Sequence, residues 1–184
     1  MAQYVALLRG INVGGNNIVK MAELKLCFET QGLANVATYI QSGNVLFQAG
    51  DEAPLSLAAR IEEALLTRFG YQARIVLRSH DQMRALVADA PDGFGSQPED
   101  YRYDVVFLRE PLTVAAAMDV LRTREGVDQA FAGQGVCYFA RLVSRATQSY
   151  LSKIVGLPAY QSMTIRNWNT TARLTSLMDA RGNG

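Results

Sequence analysis

The sequence predicts an α+β protein, an α/β sandwich of two successive βαββαβ halves, each trailed by a further helix. Three observations carry that prediction. Short runs rich in β-forming residues alternate with stretches whose apolar residues recur at helical spacing. Two strand pairs are joined by tight polar turns, Ser42-Gly43-Asn44 and Gly133-Gln134-Gly135. The order of elements then repeats after a stretch rich in Pro, Gly and acidic residues. The halves are accordingly expected at 1–92 and 101–184, with 93–100 as the linker. The repetition is one of element order only, since no residue-by-residue identity relates the halves.

Tyr4-Val5-Ala6-Leu7-Leu8 is continuously apolar, as expected of a central strand covered on both faces. A Gly- and Asn-rich loop follows, to about Val19. Met21 to Gln31 has Met21, Leu24 and Phe28 at helical spacing, and Gly32 supplies the stop. Val36 to Gln41 and Val45 to Gln48 read as the arms of a hairpin. Pro54 opens a long helix whose Leu57, Ile61, Leu65 and Phe69 share one face, closed by Gly70. Gln72 to Arg78 is the fourth strand. Ser79 and Gln82 form a capping-box pair for a helix ending near Ala90.

In the second half, Tyr103 to Leu108 is a strand and Thr113 to Arg122 a helix. Val127 to Ala132 and Val136 to Ala140 form the hairpin. Ser144 to Val155 is expected to be helical, Met163 to Ile165 a short strand, and Thr170 to Met178 the closing helix. The β-α-β-β-α-β order is that of the ferredoxin-like split βαβ arrangement. It places the first and third strands of each half side by side and antiparallel. The end of strand one then lies near the start of strand three, so residues 10–12 should approach residues 42–44.

Composition narrows the function classes. Apolar residues make up 49% of the 184, enough for a real core. The net charge of +1 speaks against a dedicated nucleic-acid binder. No apolar run reaches the ~20 residues of a membrane helix, so no membrane partner is expected. The start of the chain lacks the basic and apolar regions of a signal peptide, which points to the cytoplasm. Cys27 and Cys137 lie among apolar residues with no metal-type spacing and read as core residues of a reducing compartment. His80, the sole histidine, stands in the first turn of a helix and reads as a surface residue. Glu99, Asp100 and Asp104 read as a solvated charge run. No catalytic set, metal site or cofactor motif follows from these residues.

Three polar segments are candidates for a ligand. The first is Arg9-Gly10-Ile11-Asn12-Val13-Gly14-Gly15-Asn16-Asn17, followed by Lys20. Its glycines permit positive φ, and successive amides of such loops cradle anions. Arg9 can clamp an anion, and Lys20 adds charge where a helix dipole already favours one. The pattern matches neither a P-loop nor a dinucleotide fingerprint, and a turn held by asparagine side chains is an equal alternative. The second segment is Gln41-Ser42-Gly43-Asn44, on the same rim. The third is Thr164-Ile165-Arg166-Asn167-Trp168-Asn169-Thr170, where Asn167 or Asn169 can cap the last helix. Trp168 reads first as a packing anchor. Together Arg9, Asn12, Gly14, Gly15, Asn17, Lys20, Gln41, Ser42, Asn44, Arg166, Asn167 and Asn169 form the candidate ligand-binding set. The expected partner is a small anionic or nucleotide-like molecule. Two alternatives stand beside it: a nucleic-acid binding module and a dimerisation domain.

These segments coincide with a family resemblance. Ala6-Leu7-Leu8-Arg9-Gly10-Ile11-Asn12-Val13-Gly14-Gly15 with Val19-Lys20-Met21, then Thr38-Tyr39-Ile40-Gln41-Ser42-Gly43-Asn44-Val45, then Met163-Thr164-Ile165-Arg166-Asn167-Trp168-Asn169-Thr170, resemble the bacterial family known as domain of unknown function 1697. The resemblance implies a two-subdomain α/β fold. It implies no activity and no catalytic residues.

Overall fold

The computed structural model describes residues 1–12 and 17–182. The first half runs β1 (Ala2–Leu8), α1 (Met21–Glu29), β2 (Ala34–Tyr39), β3 (Asn44–Ala49), α2 (Pro54–Phe69), β4 (Ile75–Ser79) and α3 (His80–Ala88). The second runs β5 (Tyr101–Leu108), α4 (Val114–Val120), β6 (Asp128–Ala132) and β7 (Val136–Leu142). Three 3-10 segments follow, Val143–Gln148, Leu151–Gly156 and Pro158–Ser162, then β8 (Met163–Asn167) and α5 (Trp168–Gly182).

The strands form two four-stranded antiparallel sheets, ordered β2-β3-β1-β4 and β6-β7-β5-β8. The first strand of each half is therefore central and pairs with the third, as the element order requires. By contact density the chain divides into two compact units. One is Met1–Met83 with the stretch from Ser176 on, and the other is Arg84–Thr175.

In the first unit, Leu24, Cys27 and Phe28 of α1 and Leu57, Ile61 and Leu65 of α2 pack on Ala6, Leu8, Val45, Phe47 and Ile75. The strand residues alternate along the chain, so one face of the sheet meets the helices. Leu57, Ile61 and Leu65 recur every four residues, which gives α2 one apolar face. Pro54 stands at its start, and Gly70 ends it in the left-handed conformation, φ 63°. Burying each large side chain contributes roughly 1.5–3 kcal/mol. The capping box before α3 is reciprocal. Gln82 N donates to Ser79 Oγ at 3.2 Å, and Ser79 N donates to Gln82 Oε1 at 2.9 Å.

In the second unit, Val106, Leu108, Cys137, Phe139 and Met163 of the sheet meet Ala117 and Leu121, with Leu151 and Ile154 of the 3-10 region. Both cysteines are buried, and burial raises both thiols, Cys137 to about 11.

Four expectations change. Residues 144–155 do not form an α-helix; two 3-10 segments, Val143–Gln148 and Leu151–Gly156, replace it. The buried pair Leu151 and Ile154 is spaced by three, the repeat of a 3-10 turn, and Gly156 and Pro158 deny a longer helix. Asp128 pins the chain there, since its Oδ2 accepts Tyr150 N at 2.9 Å and Arg124 N at 3.1 Å. Asp104 is buried rather than solvated, with Oδ2 at 3.4 Å from Arg141 Nη2, because its place on β5 turns it inward. His80 is partly buried, its Nε2 at 2.8 Å from Asp179 Oδ1 of α5. Finally, α5 begins at Trp168, so Asn167 is the residue that caps it.

Candidate functional site

The loop after β1 and the turn between β2 and β3 meet at one rim of the first sheet. Pairing brings them together, since β1 and β3 are neighbours and Leu7 opposes Asn44. At the strand end, Leu8 N donates to Gly43 O at 2.8 Å. Gly43 has φ +78°, and a Cβ there would lie 2.7 Å from Ile11 Cδ1 and 2.8 Å from Leu8 Cβ. Only glycine fits that approach.

Asn12 joins the two segments. Its Nδ2 donates to Gln41 O at 2.9 Å and to Val19 O at 3.1 Å, while its Oδ1 accepts Val19 N at 2.8 Å. Asn17 closes the loop from the other side, donating through Nδ2 to Gly10 O at 3.0 Å. Asn12 N donates to Asn17 O at 3.1 Å. Asn44, fully buried, donates to Tyr39 O and to Ser42 Oγ, both at 3.0 Å. These three asparagines shape the rim rather than project from it. Gly14 and Gly15 lie outside the described residues.

Backbone at the rim is unusual. Gly10, Asn12, Asn17, Ile40 and Gly43 all have positive φ. Gly and Asn visit this region readily, but a β-branched residue does so at a cost of about 1–3 kcal/mol. Ile40, at φ 51°, is also about half exposed, so apolar burial offsets that cost only in part. The sequence reading missed Ile40, and its neighbours Gln41-Ser42-Gly43 are the only hint that a tight turn follows it. Tyr71 was missed as well. Its hydroxyl donates to the Arg9 carbonyl, which holds the base of the loop, and burial raises the phenol above its ordinary range.

Arg9 is partly buried, while Gln41 and Lys20 are exposed and Ser42 is intermediate. Lys20 is the N-cap residue of α1 and gives it no side-chain cap, so the first-turn amides keep their attraction for an anion.

The third predicted segment belongs to the second unit. Arg166 lies on β8 opposite Val105 and donates through Nη1 to Ile165 O at 2.9 Å. Burial lowers the guanidinium to about 10, which leaves it charged at neutral pH. Asn167 Oδ1 accepts Thr170 N at 2.7 Å, so its side-chain oxygen serves the helix. Asn169 is exposed in the first turn of α5. Trp168 packs edge-on against Phe94, ring centroids 5.3 Å apart.

Comparison with known proteins agrees with this architecture. A family model described as a protein of unknown function (DUF1697) matches residues 1–138, which include both rim segments. Among solved structures, the chain is similar to the conserved bacterial protein SP0830 from Streptococcus pneumoniae. The TM-score is 0.82 at 26% identity, covering 95% of this chain and 97% of that one. No curated protein matches the sequence.

Proposed function

The chain belongs to the DUF1697 family, and from that premise we propose that it binds a small anionic or nucleotide-like molecule at the rim of its first unit. The observation that carries this reading is the tie between the two rim segments. Asn12 bonds both the loop and the Gln41 carbonyl, and next to that carbonyl Ile40 holds a conformation its side chain disfavours. Strain of this kind persists where surrounding structure enforces it, and it concentrates at binding sites. The ligand's sign follows from Lys20 at the uncapped start of α1 and from Arg9 at the base of the loop.

In this reading Arg9, Lys20, Gln41 and Ser42 contact the ligand. Asn12, Asn17 and Asn44 position them. Arg166 and Asn169 are polar residues of the second unit, with Asn167 as the helix cap.

A thermal-shift series with inorganic phosphate, AMP, ATP and citrate tests the reading. At a hundredfold excess over its dissociation constant a ligand adds about 2.7 kcal/mol to stability, enough to move the melting temperature by several degrees. Lys20→Ala and Gly15→Val, each shown to be folded, should abolish the shift. If none of the four anions raises the melting temperature of the unaltered protein, the rim is a structural turn.

A further inference from the structure

The second sheet carries a hollow that the rim does not involve. Tyr101 and Tyr103 of β5, Gln129 and Phe131 of β6, and Ala140 of β7 line it. Their parity places them on the face turned away from Val106, Cys137 and Phe139. The reason for the hollow is visible in the register. Gln129, Ala140 and Tyr103 stand in one row across three strands, and the middle place holds only a methyl group. In the next row Tyr138 fills that place, opposite Phe131.

The turn at residues 91–97 forms the other wall and is anchored. The Phe94 ring meets Tyr103 edge-on at 4.9 Å, Tyr138 at 5.4 Å and Trp168 at 5.3 Å. Gly95, at φ +87°, leaves so little room that a Cβ would sit 2.4 Å from the Trp168 indole. The result is a half-open hollow of about 250 Å³. Its rings are Phe94, Tyr101, Tyr103 and Phe131, its amides are Gln97 and Gln129, and its one charged residue is Asp92.

We propose that this hollow binds a planar nitrogen heterocycle of nucleobase size, uncharged or cationic. Aromatic walls stack flat rings, and side-chain amides read the edge of such a ring through paired donors and acceptors. Its volume lies below the ~300–1,000 Å³ of sites for drug-sized molecules, which suits one ring system. Lining charge speaks against a phosphate as the recognised group, because Asp92 is acidic and no Lys or Arg lines the hollow among the described residues. The site is independent of the anion reading, which concerns the other unit.

The test is saturation-transfer NMR on the full chain with adenosine, cytidine, AMP and tetramethylammonium. Trp168 emission serves as a second readout, since Phe94 couples the hollow to that indole. The proposal expects transfer to the base protons of a nucleoside and no gain in affinity from the phosphate of AMP. Phe131→Ala should weaken binding about tenfold, the typical effect of losing one stacking ring. Ala140→Leu, which fills the floor, should remove binding. Should that variant misfold, Gln129→Ala on the exposed edge strand takes its place, with a loss of several-fold. The proposal is overturned by an absence of transfer to every base at millimolar nucleoside. It is equally overturned if tetramethylammonium binds as well as the nucleosides, or if Lys20→Ala abolishes the signal while Phe131→Ala spares it.

Discussion

At the end of β1, Leu8 N donates to Gly43 O and Arg9 N to Arg74 O. At the end of β5, Leu108 N donates to Gly135 O and Arg109 N to Ser162 O. Both hairpin glycines have positive φ, 78° and 68°. Beyond these points the two units part. The first leaves β1 through the long 9–20 loop and crosses back on a sixteen-residue α-helix. The second enters α4 after 109–113, with Thr113 Oγ1 accepting Ala116 N at 3.2 Å, and crosses back on 3-10 turns. The comparison teaches that a central strand bonded to a hairpin and an edge strand suffices for this topology. The connections are then open to vary, and the polar rim of the first unit arises in one of them, whereas the aromatic hollow of the second lies on the open face of its sheet.

The largest expected effect separates packing from backbone strain. Gly43→Val should cost roughly 2–6 kcal/mol, combining positive-φ strain with overpacking against Ile11 and Leu8. Gly32→Ala, at φ +75° but with nothing within 4 Å, should cost only about 1–2 kcal/mol. Urea midpoints that rank the two equally would show that the rim is not tightly packed. Next comes the contrast between loop closures. Asn12→Ala abandons three hydrogen bonds and should destabilise by about 1–3 kcal/mol, whereas Thr113→Ala should cost about 1 kcal/mol. Chemical denaturation of both variants checks the order.

A pH series sharpens the description of the second unit. Burial raises the Asp104 carboxyl, and Arg141 then Arg102 only partly oppose that. The folded state thus holds the proton more tightly than the unfolded chain, so this group's contribution is fully present below the unfolded value of about 3.9. It is lost as pH rises through the folded value. Asp104→Asn should therefore gain on the unaltered protein as pH climbs above about 4, and parallel stability curves would refute the sign. The smallest effect is Lys20→Ala. Exposed and without a capping bond, Lys20 should change stability by no more than about 0.5 kcal/mol while lowering phosphate affinity.

The hairpins and the α2 helix were legible because each rests on local signals, and the pairing of first and third strands because element order restricts the topology. Leu57, Ile61 and Leu65 mark a face, and Gly43 and Gly135 mark turns whatever the rest of the chain does. The helix expected at 144–155 failed because Leu151 and Ile154 fit a three-residue repeat as well as a helical one. What decides between them is Asp128, a strand residue that binds Tyr150 N across the fold. Asp104 failed similarly: its burial comes from the pairing of β5 with its neighbours, which a run of charges does not reveal. At the rim, the sequence displayed the residue types but not their division of labour. Three asparagines read as ligand contacts prove to bond the protein's own backbone, and Ile40, which looks like an ordinary strand residue, takes the strained turn. The aromatic hollow was invisible for a related reason, since Ala140 signals a cavity only once Gln129 and Tyr103 are known to flank it.

The last helix also sets a timetable. The first unit includes the chain from Ser176 on, where Asp179 meets His80 and Arg181 Nη1 donates to Asn35 O at 3.0 Å. During synthesis residues 1–83 leave the ribosome first, yet the partners of His80 and Asn35 emerge only after the whole of Arg84–Thr175 has been made. The first unit therefore gains these closing contacts only after the second has been made.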